Sequence, residues 1–426
     1  MQSNLHQLKY THNIMKFKQV KLSEVANLFA GYPFKGNNYS DKGVRVVRGD
    51  NVTIGHLRWT IGKDKRWNEP FDQFEYYSLH ENDIVIGMDG SRVGMNRAQI
   101  KHEDLPLLLA QRVACIRNNS NSIQDYLYYQ IFSNNFVQYI KAIHTGTSIP
   151  HVSLKQIGDF GIPLPSLSDQ RKIAGILSAL DAKIENNNKI NANLEAQAEA
   201  LFKSWFVDFT PFKDQPFVDS ELGPIPQGWK VVSLDEVCLK ITDGSHFSPK
   251  DNPKEKIPML SVKDMRKHGF DYQSCKHITE SDFFKLQKND CVPHVNDLLV
   301  AKDGSYLKEI FLCKKEIKQA ILSSIAIFRP NTKLILPEYL LHYLKQPQVL
   351  KDVRDNYVSG SAVPRIVLKD FKKLKLCIPP MNSISTYREL LKSIEKLLLQ
   401  KTEENQRLAA LRDTLLPKLM SGEIKL

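Results

Sequence analysis

The sequence of 426 residues has no long apolar run. None approaches the roughly 20 consecutive apolar residues that a membrane-spanning helix needs. The first residues, MQSNLHQLKYTHNIMKF, lack the apolar core of a secretory signal peptide. The six cysteines are scattered without paired spacing, which is typical of buried thiols in a reducing compartment. These absences predict a cytoplasmic protein with no membrane partner.

Motifs of common catalytic sites are missing as well. GYPFKGN (31–37) has the glycine spacing of a phosphate-binding loop, but Asn37 stands where that loop requires lysine. The chain contains no N/D-P-P-Y motif of an amino-methyltransferase, no H-E-x-x-H and no G-x-S-x-G. We therefore expect no catalytic residue, no ATP site and no bound cofactor on this chain.

One cluster of cysteine and histidine invites comparison with a zinc site. Cys275, His277, Cys291 and His294 are close in sequence, but their spacing is not that of a standard zinc finger. Ordinary loop residues are the favoured interpretation, and we predict no metal.

The net charge of +12 is located in two separate parts of the chain. Residues 1–167 hold 19 Lys and Arg against 14 Asp and Glu, and residues 229–380 hold 26 against 18. The remaining stretches, 168–228 (6 against 9) and 381–426 (8 against 6), sum to −1. Two basic regions with a neutral spacer suit a polyanion that is held at two places. A merely basic soluble protein remains the alternative.

Two stretches, 168–207 and about 382–420, show the spacing of a coiled-coil seam, with steps of four and three residues. The first seam comprises Ile173, Leu177, Leu180, Ile184, Asn187, Asn191, Leu194, Ala198, Leu201 and Trp205. The second, in the same register, comprises Tyr387, Leu391, Ile394, Leu398, Lys401, Asn405, Leu408, Arg412, Leu415 and Leu419. Two helices that match over this length are predicted to pack on each other, and the alternative is two unrelated surface helices.

The connection between the helices indicates the direction of pairing. In a parallel pair, residues 208–228 would have to return about 60 Å, close to the roughly 70 Å that they span when fully stretched. An antiparallel pair needs no such return. The connection is rich in proline and carries Phe209, Phe212 and Phe217, so we expect it to lie against the end of the pair. Trp205, Phe206 and Phe209 exceed what two helices can bury, which predicts an apolar docking surface.

The repeat extends beyond the helices. Each half of the chain offers a short strand, a helical turn and a glycine loop, then a strand running into a D-G-S turn, and a later strand-like segment. The matching segments are VKLSEVANLFAG (20–31) with VSLDEVCLKITDG (232–244), NDIVIGMDGS (82–91) with NDLLVAKDGS (296–305), and GTSIPHVSLKQI (146–157) with GSAVPRIVLKDF (360–371). The loops between them differ entirely, as two modules that read two different targets require.

The fold class predicted from this pattern is α+β, with two repeated α/β domains separated by two long helices that form an antiparallel coiled coil. Residues 1–14 have no counterpart in the second half, so Met15 is a candidate start. The predicted domains are 1–167 for the first module, 168–207 for the first helix, 208–228 for the linker, 229–380 for the second module, and 381–426 for the second helix and tail.

Several of these segments carry a resemblance to a known family. GYPF, NDIVIGMDGS, LLLAQRVACIRN, GTSIPHVSLKQIGDFGIPLPSLSDQRKIAGIL and LFKSWFVDF, and then GPIPQGW, resemble the DNA specificity subunit of bacterial and archaeal type I restriction-modification enzymes. The resemblance implies a non-catalytic subunit for phage defence and DNA methylation, whose two modules each read one half of a split double-stranded DNA target. It also implies two methyltransferase subunits and one or two restriction/translocase subunits as partners, with S-adenosylmethionine, ATP and Mg²⁺ bound there.

Base-reading candidates are polar residues in the loops that punctuate the frame shared by the two modules. Arg suits guanine, Asn and Gln suit adenine, and Lys, Ser and Thr mostly hold phosphates. The first module offers Tyr32, Lys35, Asn37, Asn38, Arg45, Arg48, Ser91, Arg92, Arg97, Thr147 and Ser148. The second offers His246, Ser248, Lys250, Lys263, Ser305, Tyr306, Lys308, Ser361 and Arg365. For any single residue, a solvated surface charge or a helix cap is an equally good interpretation.

Two other functions stay open from the sequence. A self-contained modification enzyme or nuclease with an unrecognised site would methylate or cut DNA by itself, and the missing motifs speak against it. A scaffold that binds only proteins would use the repeat to double a protein-binding surface, and DNA binding with steep salt dependence would exclude it.

Overall fold

The computed structural model describes residues 17–60, 62, 64–68, 72–143, 150–272, 275–304, 307–360 and 364–426. The chain divides into two compact units, unit 1 with Met1–Asn186 and Glu404–Leu426, and unit 2 with Asn187–Glu403. Both divisions fall inside long helices, so each unit contains one module and half of each helix. Within the described ranges, no helix combines the length and apolar character needed to cross a membrane.

Among its described residues, unit 1 contains ten short strands, most of which come before its longer helices along the chain. Its strands are β1 (Lys18–Lys21), β2 (Ala26–Ala30), β3 (Val44–Val47), β4 (Ile54–Gly55), β5 (Arg66–Trp67), β6 (Ile84–Gly87), β7 (Arg97–Gln99), β8 (Leu107–Leu109), β9 (Val113–Asn118) and β10 (Gly161–Leu164). Its helices are α1 (Leu22–Val25), α2 (Gln124–Ile131), α3 (Asn134–Ile143), α4 (Leu154–Gly158), the first half of α5 (Leu167–Phe206) and the second half of the last helix of the chain.

The core of unit 1 has two layers on a central sheet. Five strands follow the order β2-β9-β6-β7-β4, three follow β5-β3-β8, and β1 pairs with β10. In β6, Ile84 and Ile86 face the cluster formed with α2 and α3, while Val85 faces the cluster that contains β3 and β8. The central sheet is therefore covered on both faces, which explains why this strand reads as a continuous apolar run.

Unit 2 repeats this arrangement with different connections. Its strands are β11 (Phe217–Val218), β12 (Ile225–Pro226), β13 (Lys230–Ser233), β14 (Cys238–Asp243), β15 (Ile257–Leu260), β16 (Met265–Arg266), β17 (Gly269–Phe270), β18 (Lys276–Ile278), β19 (Leu298–Ala301), β20 (Ile310–Leu312), β21 (Ala320–Ile321), β22 (Ile325–Pro330), β23 (Val358–Ser359), β24 (Arg365–Ile366) and β25 (Lys375–Ile378). Its helices are the second half of α5, α6 (Leu234–Val237), α7 (Glu280–Lys288), α8 (Pro337–Leu344), α9 (Pro347–Asn356), α10 (Leu368–Phe371) and the first half of α11 (Met381–Ser421).

The strand orders of unit 2 match those of unit 1. The order β14-β22-β19-β20 corresponds to β2-β9-β6-β7, and β18-β15-β21 corresponds to β5-β3-β8. The pairs β3 with β8 and β15 with β21 are both parallel, and β13 pairs with β25 as β1 pairs with β10. The predicted fold class, two repeated modules with two long helices, is confirmed.

In unit 1 the two long helices pack in opposite directions. Asp181 accepts a hydrogen bond from Nη1 of Arg412 at 2.7 Å, and Lys183 lies 3.5 Å from Glu404. Residue numbers therefore rise along α5 while they fall along α11. Ile173, Ala174 and Leu177 join Leu419 and Met420 in one buried cluster, which also holds tyrosines of α2. The module is thus attached to both helices through α2.

In unit 2 the helix pair is rich in aromatic rings. The ring centroids of Phe206 and Tyr387 are 4.7 Å apart, and those of Phe202 and Tyr339 are 5.2 Å apart. Ile394 and Leu398 line the same cavity as Ala198, so here too the helices run antiparallel. The aromatic side chains near the end of α5 pack inside the unit, where they contact α8 and α11.

This packing corrects one expectation. Phe206 is only 6% exposed, and Trp205 and Phe209 pack against the same core, so these three residues do not form a free docking surface. Phe212 is buried in that core against Trp229, with ring centroids 5.1 Å apart. The linker therefore lies on the helix end as expected, except that Phe217 is 41% exposed.

The predicted seam positions are buried or partly buried throughout, and none is fully exposed. The apolar ones among them are Ile173, Leu177, Leu180, Ile184, Leu194, Leu201, Leu391, Ile394, Leu398, Leu408, Leu415 and Leu419. The polar residues Asn187 and Asn191 are also buried. Near the end of α5, however, Phe202 and Phe206 are more buried than the predicted Leu201 and Trp205, because the module packs against that side of the helix.

Candidate nucleic-acid interface

The candidate loops of unit 1 meet where β3 and β8 end. Because these strands are parallel, Arg48 after β3 and the pair Gln111 and Arg112 after β8 leave the sheet at one edge. The backbone N–H of Gln111 donates to the carbonyl of Tyr32 at 2.9 Å, which brings Tyr32 to the same place. We call this position the β3/β8 edge.

A glycine permits the close approach at this edge. A side chain at Gly31 would place its Cβ 2.2 Å from the carbonyl oxygen of Leu109, far below a normal contact distance. Gly244 occupies the same place in unit 2, where a Cβ would lie 2.3 Å from the oxygen of Ile321. The glycine that ends the first matching segment of each repeat therefore has a structural reason, since only a hydrogen atom fits in place of its side chain.

The D-G-S turn is joined to the β3/β8 edge by hydrogen bonds. Nη1 of Arg112 donates to Oδ2 of Asp89 at 2.8 Å, and Oδ1 of Asp89 lies 2.5 Å from Nδ1 of His151. The N–H of Gly90 donates to the carbonyl of Pro150 at 3.0 Å. The turn thus connects the edge with Pro150 and His151, which lie inside the third matching segment of the repeat.

The other candidates of unit 1 have mixed surroundings. Exposed members are Lys35, Asn37, Asn38, Ser91 and Arg92. Arg45 is half-buried with its guanidinium 5.0 Å from the ring centre of Trp59, and Arg48 lies 6.0 Å from that of Tyr39. The half-buried Tyr32 packs on Phe34. Thr147 and Ser148 lie outside the described residues.

The structure removes Arg97 from the set of candidate DNA-binding residues. Its side chain is buried, with 6% of the residue exposed, and Nη1 donates to the carbonyl of Gly94 at 2.8 Å. The guanidinium lies 5.1 Å from the ring centre of Phe132, and burial lowers its pKa to about 10. Arg97 therefore stabilises the packing of β7 on the helices and is not available to DNA in this arrangement.

Unit 2 has an equivalent edge at the ends of β15 and β21, which we call the β15/β21 edge. Lys263 lies on a short 3-10 turn after β15, and Ser323 and Ser324 follow β21. Ser323 donates its N–H to the carbonyl of Ser245, as Gln111 does to Tyr32. The backbone frame is the same in both units, and the side chains that it presents are different.

The remaining candidates of unit 2 surround this edge. His246, Ser248, Lys250, Lys263, Lys308 and Arg365 are exposed. Nζ of Lys276 donates to Oγ of Ser248 at 2.7 Å, and Nε2 of His246 lies 3.3 Å from Oδ2 of Asp243. Arg365 pairs with Asp303 across an isolated bridge, as His151 does with Asp89. Ser305, Tyr306 and Ser361 lie outside the described residues.

Sequence reasoning missed two features of these edges. Gln111 and Arg112 were not among the candidate residues, and they form an exposed turn between β8 and β9. Phe247 is 65% exposed, although its counterpart Phe34 is buried at 7%. The sequence carries a signal for both features, because Gln-Arg of the first repeat aligns with Ser-Ser of the second, and Tyr-Pro-Phe aligns with Ser-His-Phe.

The cysteines near the suggested zinc spacing belong to different clusters. Cys275 packs with β15 and β19, while Cys291 packs with α7. Burial raises the pKa of both thiols, which favours the protonated form that does not bind metal. Over the described part of the chain, no group of three or more His, Cys, Asp or Glu side chains is placed to hold a metal ion.

Comparison with known proteins gives consistent matches. The model of the type I restriction modification DNA specificity domain matches residues 15–196 and 226–410. The chain is similar to the type I restriction enzyme MjaIX specificity subunit of Methanocaldococcus jannaschii, with 28% identity covering 90% of this chain and 92% of that protein. It is 24% identical to the EcoBI specificity subunit of Escherichia coli, covering 100% and 89%.

A solved structure has the same fold. The type I restriction-modification system S subunit from M. genitalium superposes with a TM-score of 0.54 at 17% identity. The match covers 97% of this chain and 98% of that one.

Proposed function

The chain belongs to the type I restriction-modification DNA specificity family, whose domain matches both of its halves, and we propose that it is the subunit that recognises a bipartite DNA target. One observation carries the proposal. The β3/β8 and β15/β21 edges share their backbone hydrogen bonds, yet one presents Gln111 and Arg112 and the other Ser323 and Ser324. A common frame with different polar side chains suits two modules that read two different half-sites.

The proposed division of specificity can be tested by exchange. Replacing residues 16–160 with the matching module of a relative that has a different target should change one half-site and leave the other unchanged. Methylation mapping of the reconstituted complex reports both half-sites at once. A change in both half-sites, or in neither, would contradict independent reading by the two modules.

The basic charge of both modules predicts that phosphate contacts supply much of the affinity. Each released counterion makes binding weaker as salt rises, so 6 to 10 phosphate contacts lose roughly 10³-fold or more between about 50 and 200 mM salt. A gel shift at these two salt concentrations tests this expectation. A protein-binding scaffold without a DNA role would show no binding at either concentration.

We further propose that the chain recruits its catalytic partners and contributes no reacting group itself. The domains proposed from the sequence, 1–167, 168–207, 208–228, 229–380 and 381–426, would then provide two reading modules and one helical platform. Two methyltransferase subunits and one or two restriction subunits would bring S-adenosylmethionine, ATP and Mg²⁺. The purified chain should transfer no methyl group from S-adenosylmethionine, and activity should appear when a methyltransferase subunit is added. Methylation by the chain alone would support the self-contained enzyme instead.

A further inference from the structure

We infer that Arg112 reads a guanine in the half-site bound by the first module, and that Asp89 is the positioning residue that orients it. The inference rests on the proposed function, because it names a specificity-determining residue within that function. It concerns only the β3/β8 edge and the D-G-S turn of unit 1.

The backbone of Arg112 is held in an uncommon conformation. Its φ is +70°, a left-handed value that residues with a side chain rarely adopt. Met88 donates its N–H to the carbonyl of Arg112 at 3.0 Å, and Val113 donates to the carbonyl of Ala110 at 3.3 Å. These bonds fix the direction in which the side chain leaves the turn. Such outliers cluster at functional positions, where the surrounding structure maintains them.

The side chain of Arg112 is anchored at one nitrogen and exposed elsewhere. Nη1 donates to Oδ2 of Asp89 at 2.8 Å, while 64% of the side chain is accessible to solvent. Within the described part of the chain, Nε and Nη2 make no hydrogen bond. The second oxygen of Asp89 is fixed in turn by His151 at 2.5 Å. One edge of the guanidinium, with two N–H groups, therefore faces outward in a fixed orientation.

This free edge matches one base. Guanine presents O6 and N7 in the major groove, and arginine donates to both with two parallel hydrogen bonds. Holding the guanidinium before binding reduces the side-chain entropy that is lost on contact with DNA. A phosphate could also accept these bonds, but it would not require a fixed orientation, and flexible lysines serve it equally well. The carboxylate of Asp89, which orients the guanidinium, thus favours contact with a base over contact with a phosphate.

The second module lacks this arrangement. Ser324 occupies the place of Arg112, and its hydroxyl accepts the N–H of Val262 at 3.1 Å, so it is used within the unit. The counterpart of Asp89 is Asp303, which lies 3.8 Å from Nζ of Lys302. Loss of Arg112 should therefore alter one half-site only.

The experiment uses the full chain assembled with its methyltransferase subunits. The native target and every single base-pair change in the first half-site are compared for binding by wild type, Arg112→Ala, Arg112→Lys and Asp89→Asn. Lys21→Ala is the matched control, since Lys21 pairs with Asp159 at 2.7 Å in the same unit and is similarly exposed. Melting curves identify any variant that has lost its fold.

Arg112→Ala should weaken binding to the native target roughly 10- to 100-fold and abolish the preference at one G·C pair. Arg112→Lys keeps the charge but lacks the planar pair of N–H groups that Asp89 orients, so it should weaken the same preference. Asp89→Asn should reduce that preference while other positions stay unchanged. Lys21→Ala should behave as wild type.

Three results would overturn the inference. Equal weakening on all targets, with a smaller salt dependence, would make Arg112 a phosphate contact. An unchanged preference in Arg112→Ala would show that Arg112 and Asp89 form only a surface ion pair that closes the turn. Full rescue of the preference by Arg112→Lys would show that neither the planar guanidinium nor its orientation by Asp89 is needed. If wild type itself shows no sequence preference, the proposed function fails, which is a distinct outcome.

Discussion

The carboxylate of Asp83 accepts two hydrogen bonds from the guanidinium of Arg117, at 2.8 Å from Nε and 2.6 Å from Nη2. Asp297 and Arg329 repeat this pair in unit 2, at 2.9 and 2.8 Å. Both aspartates are almost fully buried, at 2% and 1% exposure. The hydrogen bonds that each arginine donates to its aspartate raise the pKa of the arginine, so both guanidinium groups stay charged near neutral pH. The ion pair joins the start of the central strand to its neighbour in each module.

Removing one member of such a pair leaves an uncompensated buried charge. We expect Arg117→Ala to reduce the free energy of unfolding of the first module by about 3 kcal/mol. Arg329→Ala should do the same in the second. Denaturant titration of each variant measures the change.

Asp159→Asn provides the control for this experiment, because its partner Lys21 is exposed and solvent-exposed ion pairs contribute little to stability. A loss in Arg117→Ala no larger than that of the control would show that the buried pair does not stabilise the module.

The sequence predicted the repeated modules and the long helices because their signals are local and periodic. Apolar residues at steps of three and four identify α5, and Ser166 caps it by accepting the N–H of Asp169 at 3.2 Å. The ion pair of Asp83 was missed although H-x-N-D and a later arginine occur in both halves. Recognising it requires knowing that β6 and β9 are neighbours, which is a tertiary contact.

The candidate site was predicted less well for the same reason. Arg97 carries a charge and follows a polar loop, so the sequence favours exposure, but Phe132, directly after α2, and Phe136 of α3 cover it. Arg112 lies in an apolar stretch, and its exposure depends on the left-handed turn and on Asp89 from the D-G-S turn. Side chains whose surroundings come from distant segments cannot be assigned from local pattern alone.

The glycine at each edge gives a second prediction. Gly31→Ala places a methyl group 2.2 Å from a backbone oxygen, so the strands must separate and the module should lose about 1–3 kcal/mol of stability. Gly161→Ala is the matched control, since no atom lies within 4 Å of the added carbon. Thermal melting of both variants decides the matter, and equal melting temperatures would show that the edge adapts without cost.

A buried histidine should make unit 2 sensitive to acid. Burial lowers the pKa of His342 to about 4, Lys345 and Lys314 act in the same direction, and Glu338 opposes them. Its Nδ1 is buried without a hydrogen-bond partner in the described structure. In the unfolded chain the pKa is about 6.5.

Since the unfolded state binds this proton more readily, stability should fall as pH drops from about 6.5 towards 4, by about 3 kcal/mol at most, and be unaffected above that range. Denaturant titrations at several pH values measure the slope. His342→Gln should remove this contribution, whereas His246→Gln, which changes an exposed residue, should keep it. Identical slopes in wild type and His342→Gln would exclude His342 as the cause.

The last prediction concerns the length of the helices. We propose that α5 and α11 set the distance between the two half-sites, since each helix continues through both units and rises about 1.5 Å per residue. The buried Asn187 and Asn191 should mainly fix the register of the pair at some cost in stability. Helix length would then determine the length of the unspecified spacer in the target.

Inserting four residues near Asn188 and four near Thr402 lengthens each helix by about 6 Å and keeps the apolar seam nearly in phase, because four residues are close to one turn. At roughly 3.4 Å per base pair, the spacer should grow by about one or two base pairs while both half-sites stay the same. A double insertion of seven residues adds roughly three base pairs, which rotates one half-site far around the duplex axis, so it should bind poorly. Methylation mapping of the four-residue variant distinguishes the alternatives, since an active complex that retains the original spacer would show that the helices do not measure the DNA.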